Sequence, residues 1–385
     1  MNTNRARLYL DHAAATPLAP EVVDAMHLYW SDDFGNPSSI HTEGVAAQHA
    51  VDTALHTIAS VLECKASSLT ITGSGTESCN LAIRGVARAA KRAHGSSHIL
   101  TSAIEHHAVL NTCRDLQEHE GFELTEAAPD KHGLLSVEII EAALRDDTAL
   151  VSIMYANNEV GTVQQIRTIG QVCRERGIPF HVDACQATGQ LPLTVERLNV
   201  DLFTLNASKA YGPKGVGLLY ADPRIPLAPV ITGGSQQLNR RAGTVAVPLV
   251  VGMATAIELA ERQRETEVPR LQELSAQLRE GLSVLGGILY GHPTERLANN
   301  VSVGFDGIDG ETLVLYLDAQ GISCATGAAC TSNRTEPSHV LTAMGFGDAE
   351  AKAAVRFTLG RSTTATDIDR VLEALSSVLK TLSPN

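Results

Sequence analysis

No two cysteines in this 385-residue chain are spaced C-x-x-C. The seven cysteines, at 64, 79, 113, 173, 185, 324 and 330, are odd in number and scattered. That leaves a zinc site or a thioredoxin-like dithiol without support and points to a reducing compartment. Excess positive charge is lacking too: 30 Lys and Arg against 43 Asp and Glu give a formal net charge of −13. Such a chain is a poor general binder of nucleic acid, which needs basic surface, so no direct nucleic-acid contact is expected. No apolar run reaches the length of a membrane span, and the opening "MNTNRARLYLDHAAATPL" has no signal-peptide core. A soluble, cytoplasmic protein without a membrane partner is expected. Internal repeats and low-complexity segments are absent as well.

What is present is material for a large core. The chain is 44% apolar and 19% charged, and its length suits a large domain plus a smaller one. Short apolar runs alternate with helical patterns. "SLTITG" (68–73), "HIL" (98–100), "TALVSIMYA" (148–156), "IPFHVDA" (178–184), "DLFTLN" (201–206) and "GVGLLY" (215–220) read as strands. Helical patterns lie between several of them, one ending at Gly121 and another at Gly177. That alternation predicts a mostly parallel, doubly wound sheet. Beyond residue 250 a long helical stretch gives way to "NNVSVGFDG", a helix and the strand "AAVRFTLG", an α+β arrangement.

Three stretches can carry chemistry. In "TGSGTES" (72–78), glycines at a helix start let backbone N–H groups approach an anion. Ser78 stands where a dinucleotide fingerprint needs its third glycine, so the alternatives are a phosphate cradle and an ordinary tight turn. In "FHVDACQ" (180–186), Asp183 ends a buried-type strand, where ligands of open α/β sheets gather. Taken alone it reads rather as a cap of the next helix. In "TLNASKAYGPKGVGLLY" (204–220), Lys209 follows a buried strand, and a desolvated amine there is a usable nucleophile and base. Lys214 reads as a turn residue. Together, an anion cradle, an acid for a pyridinium nitrogen and a Schiff-base lysine are the parts of a pyridoxal 5'-phosphate (PLP) site.

These stretches, with "YLDHAAATPL", "FGNPSSIHTEG", "EHHAVL", "NNEVGT", "RRAGT", "GAACTS" and "VRFTLGR", extend over nearly the whole chain. On them the chain resembles the cysteine desulfurases, a PLP-dependent branch of the class V aminotransferase family, of the first-group, long-loop type. The resemblance implies the type I PLP-dependent transferase fold. A large α/β domain at 16–255 would hold a mostly parallel sheet of the seven-stranded type. A small α+β domain would combine 1–15 with 256–385. It implies a homodimer that converts L-cysteine to L-alanine and passes the sulfur to a protein acceptor, in iron–sulfur cluster assembly or in tRNA or other thiolation.

Site residues follow from the same resemblance. Lys209 would hold the cofactor covalently, Asp183 would pair with its ring nitrogen, and His106 would stack on the ring, leaving His107 on the helix surface. Gln186 would reach the ring hydroxyl, and Asn157 would lie near the same edge and the substrate. Gly75 and Thr76 would hold the phosphate, with Thr244 reaching in from the other subunit. Asn206 and Ser208 stand in "NASK" where the family has S-x-H-K, and would serve as phosphate donors. Arg356, flanked by apolar residues, would clamp the substrate carboxylate. Cys330, among Ala, Gly, Ser and Thr, resembles the persulfide-forming nucleophile, and its small neighbours would let it swing between cofactor and acceptor. Cys324 reads as a packing residue and the other five cysteines as structural. No metal site is expected. Rival readings are a selenocysteine lyase or aminotransferase of the same fold, or a non-catalytic adaptor; an aminotransferase has no use for the Cys330 thiol.

Overall fold

The computed structural model describes residues 7–327 and 336–382. Its centre is a seven-stranded sheet in the order Leu69–Thr72, Gly217–Ala221, Leu202–Asn206, Phe180–Asp183, Thr148–Ser152, His98–Ser102, Glu123–Ala127. Gly217–Ala221 is antiparallel to both its neighbours; the other pairings are parallel. Successive residues go to opposite faces, as the strand repeat requires. Leu100, Val151, Phe203 and Leu218 enter one core, and Ile99, Leu150, Leu202 and Leu219 enter another. A strand buried on both faces has to be apolar throughout, which is why these segments read as continuous runs.

Helices Gly75–His94, His107–Glu120 and Ile166–Glu175 connect the strands. The first two end on glycines in the left-handed region, Gly95 at φ 76° and Gly121 at φ 65°. The strand expected over 148–156 stops at Ser152 by regular pairing, but Ile153 and Tyr155 still donate to His181 O and Asp183 O at 3.1 and 2.8 Å.

A second core gathers Leu8, Leu10, Leu278, Val301, Phe357 and Leu375. It backs a four-stranded antiparallel sheet in the order Ala325–Thr326, Val355–Thr358, Asn300–Gly304, Ile288–Tyr290. The N-terminal strand Leu8–Tyr9 runs parallel to Ile322–Ser323 beside it. A 38-residue helix, Val247–Val284, joins the two cores. Its Ile257 packs in the first and its Leu271 in the second, so the boundary expected at 255–256 falls inside one element. Among the described residues no helix is long and apolar enough to cross a membrane.

Candidate active site

A cleft of about 340 Å³ opens where the strands Phe180–Asp183 and Leu202–Asn206 end and the helix Gly75–His94 begins. Lys209, Asp183, His106, Gln186 and Arg356 all line it, as do Gly75, Thr76, Asn206 and Ser208. Residues from five separate stretches of sequence therefore face one space.

The anion-binding end is the start of the helix Gly75–His94. Ser74 caps it, its hydroxyl accepting the Glu77 N–H at 3.1 Å. The first intrahelical bond is the one Ser78 N–H donates to Ser74 O, so Gly75 and Thr76 stand ahead of the ladder with their N–H groups at the helix mouth. Gly75 has no substitute: a Cβ there would lie 2.6 Å from Cys185 Sγ. Glu77 would set a negative charge against an anion, but Arg241 of "RRAGT" pairs with it at 2.7 Å. Asn206 Oδ1 is buried without a protein partner among the described residues, as a group awaiting a ligand contact would be.

Asp183 is 7% exposed, and its Oδ1 accepts the Cys185 N–H at 3.0 Å. No helix begins there; turns follow, so the carboxylate is not a helix cap. His106 caps the helix His107–Glu120, its Nδ1 accepting the Ala108 N–H at 3.1 Å. In the neutral ring that leaves the proton on Nε2.

Lys209 sits in the turn after the strand Leu202–Asn206, and its Nζ donates to Ala14 O. Two residues on, Tyr211 has φ 62°, a left-handed conformation that costs a residue with a Cβ roughly 1–2 kcal/mol. Three contacts hold it there. Its N–H donates to Thr16 Oγ1 at 2.8 Å, its hydroxyl accepts the Arg361 N–H at 2.7 Å, and its ring lies 4.1 Å from the Arg361 guanidinium. The turn that aims Lys209 is thus locked from outside. Lys214, read from sequence as a turn residue, is exposed but also lines the cleft.

The N-terminal segment forms the opposite wall. Besides Ala14, Ala13 O accepts from Gln186 Nε2 at 3.1 Å, and Ser208 O accepts the Thr16 N–H at 2.9 Å. Arg356 is 2% exposed; one amino group donates to Asp11 Oδ1 and the other to Asn158 O, each at 2.8 Å. Its Nε has no partner among the described residues. A buried guanidinium held by one carboxylate and turned to a cleft is not a surface strand charge. It is built to accept a second anion.

The structure departs from expectation at Asn157, His107 and Cys185. Asn157 does not line the cleft. It is fully buried, its Nδ2 donates to Ile104 O at 2.9 Å, and its Oδ1 accepts the Glu159 and Val160 N–H groups at 2.9 and 3.0 Å. Asn158 lines the cleft in its place. Thr244 is exposed and outside this chain's own cleft. His107 is half-buried, its ring 4.5 Å from that of His339. Cys185 lines the cleft, yet burial and the charge of Asp183 push its thiol well above the usual range, as they do for Cys79. Cys324 packs against the second core, and burial pushes it up to about 12. Cys330 lies outside the described residues. Among those described, no group of His, Cys, Asp and Glu could hold a metal ion.

Sequence reasoning missed Asp11 and Glu159. A carboxylate beside the apolar start of a strand and a second acid inside "NNEVG" were the available signals.

A fold with helices on a mostly parallel sheet, and a cleft that combines a lysine, a buried acid and a helix N-terminus, define a group-transfer enzyme built around an aldehyde cofactor. Residues 8–371 match the class V aminotransferases, and the chain belongs to that family, in its cysteine desulfurase branch. It is 46% identical over 383 residues to the cysteine desulfurase IscS of Methanosarcina thermophila, covering 99% of this chain and 94% of that one. To the cysteine desulfurase IscS of Dictyoglomus turgidum it is 43% identical over 385 residues, covering 99% and 97%. Among solved structures, a NifS-like protein superposes with a TM-score of 0.92 at 34% identity, over 98% of this chain and 100% of that one. A structure described as SspA in complex with cysteine gives 0.80 at 36% identity, over 91% and 98%. The family is PLP-dependent, and the site described above fits that cofactor.

Proposed function

We propose that this enzyme binds PLP in the cleft and converts L-cysteine to L-alanine, leaving the sulfur as a persulfide on Cys330. The observation that carries the reading is Arg356, a buried guanidinium lining the same cleft as Lys209 and Asp183. The cysteine complex of a relative supports the substrate.

Bound PLP supplies the electron sink that makes the substrate Cα–H acidic. The chain's residues do the rest. Asp183 is the carboxylate for a protonated ring nitrogen, and the Cys185 N–H keeps that carboxylate oriented. The N–H groups of Gly75 and Thr76, with Asn206 and Ser208, hold the phosphate. His106 covers the ring, Gln186 serves the ring hydroxyl, and Asn158 replaces Asn157 at that edge. Lys209 carries the cofactor and, once released, moves the proton at Cα. Arg356 fixes the substrate carboxylate. The Cys330 thiolate then attacks the substrate sulfur. An S–S bond forms as the Cβ–S bond breaks, carbon keeps the electron pair and takes a proton, and alanine leaves.

The persulfide passes to a sulfur acceptor protein, in iron–sulfur cluster assembly or a thiolation pathway. We infer a cytoplasmic homodimer in which the exposed Thr244 serves the other subunit's cleft. The test is the purified holoenzyme with L-cysteine and a reductant: equimolar alanine and sulfide are expected. Pyruvate or transamination products in place of alanine overturn the reading.

Arg356→Lys separates substrate binding from cofactor binding. Lysine cannot reproduce the planar fork. Losing a charged hydrogen bond of about 1.5–3 kcal/mol raises KM for cysteine on the order of ten- to hundredfold. Steady-state kinetics checks this, with the PLP content unchanged; an unaltered KM counts against the assignment.

A further inference from the structure

One buried acid takes no part in the chemistry above, yet it is bonded to one cleft residue and precedes another. Glu105 is fully buried, between the strand His98–Ser102 and His106. Its Oε1 accepts the Ser102 hydroxyl at 2.6 Å and the Met154 N–H at 2.8 Å. Its Oε2 is buried with no partner among the described residues. Met154 lines the cleft, as His106 does.

The Met154 bond has a cause in the backbone. Ile153 and Tyr155 donate to His181 O and Asp183 O, on one side of their chain. Backbone groups alternate sides along an extended chain, so the Met154 N–H points to the other side. The neighbour there, His98–Ser102, ends at Ser102 and turns off toward the helix His107–Glu120. The Glu105 carboxyl stands in for the strand carbonyl that is missing. Its own backbone is tied as well. The Glu105 N–H donates to Ser102 O at 3.4 Å, and His339 Nε2 lies 2.9 Å from Glu105 O. His106 thus leaves a turn fixed by Ser102, Met154 and His339.

The same contacts bear on the charge of the acid. Both donors fall on one oxygen. An ionised carboxylate would leave an anionic Oε2 buried and unpartnered, whereas the carboxylic acid leaves only a hydroxyl, which costs far less. Asp183 faces it from the strand Phe180–Asp183, and the Cys79 and Cys113 thiols from the helices Gly75–His94 and His107–Glu120. None of these three is a cation that would favour the anion. His106 and His339 stand beside its backbone. Burial pushes the carboxyl up to about 8, against the Ser102 and Met154 hydrogen bonds and together with the charge of Asp183.

We propose that Glu105, held as the neutral acid, is a positioning residue that sets Met154 and His106 on the wall of the cleft. The inference rests on the reading of that cleft as a PLP site given above. Ionisation would place a second buried anion near Asp183 and loosen the turn that carries His106. A misplacement of about 1 Å at the cleft costs on the order of a hundredfold in rate.

The test uses the holoenzymes of Glu105→Gln, Glu105→Ala and Ser102→Ala. In the wild-type infrared spectrum, a protonated-carboxyl band that is missing from Glu105→Gln is present at neutral pH and is lost above about pH 8. Ser102→Ala keeps that band to higher pH, because the Ser102 hydrogen bond favours the ionised form. Hydrogen exchange at the Met154 amide speeds on the order of ten- to hundredfold in Glu105→Ala, which leaves that donor without its partner. In Glu105→Ala kcat falls on the order of ten- to hundredfold and PLP dissociates faster. Glu105→Gln still offers Met154 an oxygen. It restores exchange and kcat at neutral pH, and it lacks the fall in kcat that the wild type shows above about pH 8. Should Glu105→Ala not fold, the band in Ser102→Ala and the pH profile of Glu105→Gln decide the matter. No carboxyl band that depends on Glu105, or unaltered exchange and kcat in Glu105→Ala, overturns the proposal. So does a Glu105→Gln that has the wild-type pH profile or fails to restore kcat. A wild type that holds no PLP overturns the reading of the cleft instead, and the infrared and exchange results still decide the role of Glu105.

Discussion

Cys330→Ala is expected to keep its PLP absorbance and to bind L-cysteine, yet to transfer almost no sulfur. Lys209, Asp183 and Arg356 are untouched, so the steps before sulfur transfer proceed. What disappears is the thiolate, and burial disfavours ionisation of every described cysteine. Burial raises Cys324 and Cys173 to about 12 and Cys64 to about 11, and carries Cys79, Cys113 and Cys185 higher still. At neutral pH a thiol raised to about 12 is ionised in roughly one molecule in 10⁵, and the thiolate is the nucleophile. Turnover should fall at least on the order of a thousandfold, the scale seen when a covalent nucleophile is removed. Alanine and sulfide after L-cysteine addition measure the loss. Mass mapping of the wild-type persulfide measures the assignment. Cys324→Ala should transfer sulfur at close to the wild-type rate. A persulfide mass on Cys324, or full turnover in Cys330→Ala, would show that the wrong thiol has been chosen.

Lys209→Ala is expected to lose both the covalent hold on PLP and the proton carrier at Cα. The second loss alone is worth on the order of 10²–10⁴ in rate. Borohydride reduction of the wild type followed by peptide mapping should place the pyridoxyl mass on Lys209. Lys214 is the competing amine, since it lines the same cleft. It stands exposed in a Gly-Pro turn, whereas Lys209 is aimed by a turn whose Tyr211 is held in a strained conformation. A pyridoxyl mass on Lys214, or PLP held just as tightly and turnover intact in Lys209→Ala, would refute the assignment.

Much of this protein is legible in its sequence because the signals are local. A strand buried on both faces must be a continuous apolar run, and a helix that ends on a left-handed residue calls for glycine, as at Gly121. The turns that carry Gly75, Asp183 and Lys209 each follow such a strand, so their position at one edge of the sheet follows from the alternation itself. The strand Glu123–Ala127 was not legible. It is a sheet edge paired on one side only, and most of "ELTEA" is only half-buried, so it needs no apolar run.

Tertiary structure decided everything that depends on residues far apart or on the direction of one side chain. Asp11 meets Arg356 across 345 positions, and no periodicity reports such a pair. The two asparagines of "NNEVG" are neighbours in sequence, but the turn there points Asn157 into the protein and leaves Asn158 on the cleft. Cys185 differs in no local way from the buried cysteines, and only its seat against Gly75 puts it on the wall. Glu159 reads as one more acid until Ser338 is brought to it from 179 positions away. Local patterning specifies elements because backbone geometry repeats every two or 3.6 residues. The site arises where the packing of those elements makes distant side chains neighbours.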